Sequence, residues 1–171
     1  MSDDRDAVAF RRWMARFATG VTVVTAREGE RSFGLTVNAF LSVSLNPPLV
    51  LISLTRDADT TPVIRKTGRF AVSILSAKQG TLSERFAATE PPEAKFAQVP
   101  TRSSPGGLPW LADALGWMEC AVEESREVAD HVLFLGRVVT VEPGGVGTPL
   151  VFFEGGYFST NGTALERVPP K

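Results

Sequence analysis

GLTVNAFLSVSLNPPLVLISL, residues Gly34 to Leu54, is the stretch on which the fold turns. A strand pattern runs into a small polar turn and a second apolar run follows. Pro47 and Pro48 stop the ladder there, and Leu49 to Leu54 then reads as a continuous aliphatic strand covered on both faces. Thr36, Asn38, Ser42 and Ser44 set hydroxyl and amide groups among Leu35, Val37, Phe40 and Val43, which belong in a core. Polar groups placed singly among apolar ones line ligand pockets.

On the N-terminal side, Val21 to Ala26 alternates and Phe33 to Val37 returns after a charged turn around Gly29, which makes a hairpin. Before it, Phe10, Trp13, Met14 and Phe17 follow helical spacing, so a helix is expected over about residues 6–18 with Gly20 as its stop. On the C-terminal side, Thr60-Thr61-Pro62 starts a short helix around Val63 to Lys66 that Gly68 ends, and Phe70 to Leu75 is a strand. Ser76 and Gln79 form the S-x-x-Q capping box of a helix reaching Ala87.

Residues 88–110 carry five prolines and read as a long excursion with local helix near Glu93 to Phe96. Trp117 to Glu123 alternates, with Glu119 and Glu123 outward and Met118, Cys120 and Val122 inward, making Cys120 a small core residue. His131 to Val141 is a long strand bent at Gly136. Pro149 to Phe153 is another, ahead of the Gly155-Gly156 turn and Tyr157. At least six strands joined by mostly hairpin-length turns, with two or three peripheral helices, describe a mainly β chain built as an antiparallel barrel.

With 171 residues and 43% hydrophobic residues, the chain is expected to form a single domain over 1–171, with flexible tails at 1–5 and 166–171. Eighteen basic and nineteen acidic residues, in no dense basic block, argue against a nucleic-acid partner. The N-terminus lacks the apolar core of a secretory signal and no apolar run is long enough to cross a bilayer, so a cytoplasmic protein without a membrane partner is expected. One cysteine forms no internal disulfide, and one histidine with one cysteine leaves no zinc site, so no metal is expected. G-x-G-x-x-G, Walker and G-x-S-x-G motifs are absent, so a phosphorylated cofactor would be held by other means.

FATGVTVVTA (Phe17 to Ala26), the Gly34 to Leu54 stretch, RFAVSIL (Arg69 to Leu75), Gln79 to Ala87, Lys95-Phe96 and Asp130-His131 leading into VLFLG occur in order over nearly the whole chain. In these segments it resembles the flavin reductase-like, FMN-binding split-barrel family. The resemblance implies a six-stranded antiparallel Greek-key barrel, a homodimer, FMN or FAD as flavin and NADH or NADPH as electron donor. A separate flavin-dependent monooxygenase would take up diffusible reduced flavin. Carried over by position, Thr36, Val37, Asn38, Ala39 and Phe40 meet the isoalloxazine, with Ser42 nearby. Ser53, Leu54 and Thr55 reach the ribityl or phosphate end, which Arg56 and Thr60 complete. His131 faces the nicotinamide side, Tyr157 lies near the same opening, and Lys95 is a further cofactor candidate.

A phosphate at Thr60 would gain free N–H groups and a helix dipole. No acid or base is required, because hydride transfer is the cofactors' own chemistry. Relatives commonly have Ser-x-Thr at Ala58-Asp59-Thr60, Gly-Asp-His at Ala129-Asp130-His131 and Arg at Glu154. Two alternatives stand beside a reductase: a flavoprotein that carries electrons on FMN without using nicotinamide, and an oxidase of the pyridoxamine-phosphate type.

Overall fold

The computed structural model describes residues 4–160. The expected tail at 166–171, and residues 1–3 of the other, lie outside the described residues, whereas residues 4 and 5 open the first helix. In chain order the elements begin with α1 (Asp4–Met14), β1 (Thr19–Gly20), β2 (Thr22–Glu28), β3 (Arg31–Val37), β4 (Phe40–Leu45) and β5 (Pro48–Thr55). Next come α2 (Thr60–Thr67), β6 (Arg69–Ile74), α3 (Gly80–Ala87), α4 (Pro92–Phe96), β7 (Thr101–Ser103) and β8 (Pro109–Leu111). β9 (Gly116–Val128), β10 (His131–Pro143), β11 (Val151–Phe153) and β12 (Gly156–Phe158) complete the order.

Seven strands form one antiparallel sheet in the order β3-β2-β6-β9-β10-β5-β4. Its two edges are consecutive in the chain and joined by Asn38 and Ala39 alone. Laid flat, seven strands would hold β3 and β4 roughly 29 Å apart. The link from Val37 to Phe40 spans at most about 11 Å. The sheet is therefore curled until its edges approach. β2 is covered on both faces: Val24 and Ala26 join Ile52, Leu54, Ile64, Phe70 and Phe134 in one core, while Val23 and the preceding Val21 join Leu75, Phe86 and Leu150 in another.

Local chemistry accounts for most boundaries. Gly68 ends α2 in the left-handed conformation at φ 67°, and its N–H donates to Ile64 C=O. The capping box forms at Ser76 and Gln79, leading through one 3-10 turn into α3. β10 bends at Gly136, where the register with β9 shifts. Only glycine fits there, since a Cβ would lie 2.5 Å from the Phe70 ring.

Several expectations change. Helix α1 stops at Met14 and Gly20 lies in β1 instead of capping it, while Phe10, Trp13, Met14 and Phe17 are exposed and outside this chain's core. β5 is not covered on both faces: Val50, Ile52 and Leu54 are buried, and Leu49, Leu51 and Ser53 only half-buried. Pro47 and Pro48 do not end the ladder, because a cis Asn46–Pro47 turn leads straight into β5 with Pro48 opposite Leu45. The excursion after residue 88 contains the expected turn of helix as α4 and also the β7–β8 hairpin, giving four α-helices among the described residues.

Glu119 lies on the face opposite Cys120, as expected, yet it is buried there beneath the loop at residues 104–107. It is 2% exposed, accepting from Ser104 Oγ at 2.6 Å and Gly106 N–H at 2.9 Å and pairing with Arg69. Burial alone would raise its carboxyl, but Ser104, Arg69 and the Gly106 N–H together hold it below the usual carboxylate range. Alternation could not reveal this, because the covering loop comes from residues 104–107. Cys120 is a buried core thiol, pushed up to about 12 by burial and by its neighbour Glu119.

Candidate functional site

Asn38 and Ala39 leave the ladder just where the two sheet edges approach. Both are exposed, Phe40 N–H donates to Asn38 C=O at 3.0 Å, and Ser53 N–H donates to Ala39 C=O at 3.1 Å. β4 follows β5 only as far as Phe40 opposite Ile52, whereas β10 stays with β5 to His131 opposite Thr55. Past Ile52, then, one edge of β5 has no strand beside it. Ser53 there adjoins Ala39, so the backbone segments at 38–40 and 53–55 lie side by side, joined by the Ser53 N–H bond to Ala39 C=O.

Thr55 leads through residues 56–59 into α2. Thr61 Oγ1 donates to Thr55 C=O at 2.8 Å, and Arg56 N–H donates to Asp130 C=O at 2.9 Å. Asp59 occupies the N-cap without a side-chain cap bond, which leaves the dipole end of the eight-residue α2 uncovered by its own cap. A cavity of about 700 Å³ opens there, lined by Thr55, Asp57, Ala58, Asp59 and Thr60 on one side and by residues 87–92 and Lys95 on the other.

Lys95 is 8% exposed, with Nζ 3.4 Å from Phe86 C=O. Burial depresses its pKa, and the carboxylates of Asp59 and Glu90 partly restore it. An ammonium carries three donors, so Phe86 leaves capacity for an anion in the cavity. The donor set of a buried lysine, Thr60 and a helix N-terminus fits a phosphate.

His131 starts β10 next to this region, half-exposed and opposite both Thr55 and Val128. Asp130 is held below its ordinary range by the hydrogen bond from His131 and by its own backbone N–H. An ionised carboxylate only accepts, so His131 Nδ1–H donates to Asp130 Oδ1 at 2.8 Å and Nε2 faces away from it. The turn that aims this pair contains Ala129 at φ 53°, a conformation suited to glycine.

The remaining residues divide. Thr36 Oγ1 donates to Ser83 C=O at 2.7 Å, tying β3 to α3, and Val37 is buried. Tyr157 OH and Ser83 Oγ are 2.8 Å apart, so Tyr157 is anchored on α3 beside the strand that carries Thr36. Leu54 contributes its side chain to the core, and its backbone runs opposite Val132 of β10. Ser42 lies two residues beyond Phe40, exposed at a bulge in β4, and does not line the cavity. Arg56 is exposed and also lies outside the cavity lining. Sequence reasoning missed Asp57, Glu90 and the wall at residues 87–92, since a proline-rich loop carries no sign of the element it will cover.

The family described as the flavin reductase like domain matches residues 14–161. A probable flavin reductase of Rhizobium meliloti is 40% identical over 155 residues, which cover 90% of this chain and 49% of that protein, so the chain spans about half of that relative's length. The reductase component of 4-hydroxyphenylacetate 3-monooxygenase from Thermus thermophilus is 40% identical over 149 residues, 87% of this chain and 93% of its own. Among solved structures, the NADH:FAD oxidoreductase SgcE6 of Streptomyces globisporus C-1027, in complex with NAD and FAD fragments, superposes with a TM-score of 0.85 at 36% identity, covering 95% of this chain and 99% of that one. With its curled antiparallel sheet, the open backbone at Asn38 to Phe40 and the family match over most of its length, the chain belongs to the flavin reductase-like family.

Proposed function

We propose that the chain is an NAD(P)H:flavin oxidoreductase that reduces FMN or FAD at the opening between Asn38–Phe40 and Ser53–Thr55 and supplies the reduced flavin to a separate monooxygenase. The observation that carries this reading is the cavity joining Thr55, Thr60 and buried Lys95 beside that opening, with His131 across from Thr55. The flavin and nicotinamide supply the hydride chemistry themselves. This chain's residues bind and orient. The backbone at Asn38, Ala39, Phe40 and Ser53 meets the isoalloxazine edge, Thr60 and Lys95 hold phosphate, and His131 Nε2, fixed by Asp130, orients the nicotinamide. Activity therefore depends on stacking the two rings at roughly 3–3.5 Å and on no proton transfer from a side chain.

The curled seven-stranded sheet is, in this reading, the family's Greek-key split barrel in a single domain, with β3 and β4 as the lips of the split. A homodimer is supported by the exposed Phe10, Trp13, Met14 and Phe17, large apolar side chains that this chain's own core leaves uncovered. A cytoplasmic location suits diffusible nicotinamide and flavin, and no helix among the described residues is long and apolar enough to cross a membrane. Mixing the protein with each pairing of NADH or NADPH with FMN or FAD and following nicotinamide oxidation tests the activity. Turnover above the flavin-only blank is expected for at least one pair. A yellow protein that no nicotinamide bleaches anaerobically would instead mark an electron carrier.

A further inference from the structure

We infer that the cavity between α2 and α4 receives the adenylate half of FAD, so that the chain takes FAD in preference to FMN. The inference rests on the flavin reductase reading and deepens it. Size is the first support. At about 30 Å³ per water, a cavity of about 700 Å³ has room for roughly twenty waters. Asn38 to Phe40, where the isoalloxazine edge is met, do not line it. A terminal phosphate alone would leave most of that space filled with water.

The wall supplies the second support. Ala58, Ala87, Ala88, Pro91 and Pro92 present methyl and pyrrolidine surface, which a phosphate cannot use and a nucleoside can. Charge supplies the third. Lys95 is the one cation among the described lining residues, against the carboxylates of Asp57, Asp59 and Glu90. FMN ends in a monoester that carries close to two charges at neutral pH. FAD places one charge on each of two phosphates, so the phosphate nearest Lys95 and Thr60 is a single anion. Carboxylates that repel a dianion are acceptors for ribose hydroxyls and for the adenine amino group. With Ala58 in place of a serine, the cavity also lacks a hydroxyl donor that would favour the dianion.

Titrating the whole protein with FAD and with FMN, followed by flavin fluorescence without nicotinamide, tests the inference. FAD is expected to bind about tenfold tighter or more, and 5′-AMP to displace FAD competitively. In the double variant Asp59→Ser/Glu90→Gln the FMN-to-FAD affinity ratio should narrow to within about threefold as FMN gains. That ratio is read within one preparation and does not depend on how much of the variant folds. FMN binding as tightly as FAD, or AMP failing to compete, overturns the inference while leaving flavin reduction intact. Binding of neither flavin overturns the reading beneath it.

Discussion

His131 and Asp130 set the sharpest test at the level of single residues. Because Asp130 Oδ1 accepts the hydrogen bond from Nδ1–H, the ring is fixed beside the opening without contributing to the cavity wall. His131→Ala should lower kcat/KM for NADH by about tenfold or more while changing flavin Kd by less than about threefold, as stopped-flow reduction and flavin titration would measure. Equal loss in both would make His131 a structural residue. Ala129 makes the opposite kind of prediction. An alanine at φ 53° carries strain that a glycine lacks, partly offset by the extra chain entropy of glycine in the unfolded state. Ala129→Gly should stabilise the fold by about 0.5–1 kcal/mol in urea denaturation. Both residues were legible as a motif, yet the hydrogen bond and the φ angle are set by how the β9–β10 turn folds.

At the level of elements, the sequence was most readable where a short-range rule decides the outcome. Gly68 as a stop, the Ser76–Gln79 cap and the bend at Gly136 all appear where residue chemistry puts them. The bend at Gly136 is enforced by packing: an added Cβ would meet the ring of fully buried Phe70 at 2.5 Å and the Cys120 Cβ at 3.1 Å. Gly136→Ala is expected to cost about 1–3 kcal/mol, seen as a lower Tm, without displacing Ser53 to Thr55 on β5. Elements whose surroundings come from far along the chain were misread. Glu119 alternates with Cys120 as any outward residue would, and only the arrival of Ser104 and Gly106 turns it into a buried carboxylate. The β7–β8 hairpin escaped notice because three-residue strands broken by proline and glycine carry no periodicity.

For the whole molecule, the exposed aromatics of the N-terminal segment carry the prediction. Trp13 and Phe17 are exposed although their spacing resembles that of a core-facing helix. A second copy covering them would reconcile the two. Trp13→Glu/Phe17→Glu should then shift a dimer to monomer in sedimentation velocity while circular dichroism stays unchanged, and a wild-type protein sedimenting as a monomer would remove the proposal. The run from Gly34 to Leu54 shows where sequence stops and folding begins. Alternation, prolines and glycines are local, so they determine strands, turns and caps, and the ordered motifs point to flavin chemistry. Which residues meet is decided by closure of the sheet. Two residues joining the outer strands bring Asn38 to Phe40 beside Ser53 to Thr55, and the packing of α4 carries Lys95 across to Thr60, forming a cavity from segments some forty residues apart whose juxtaposition no local pattern encodes.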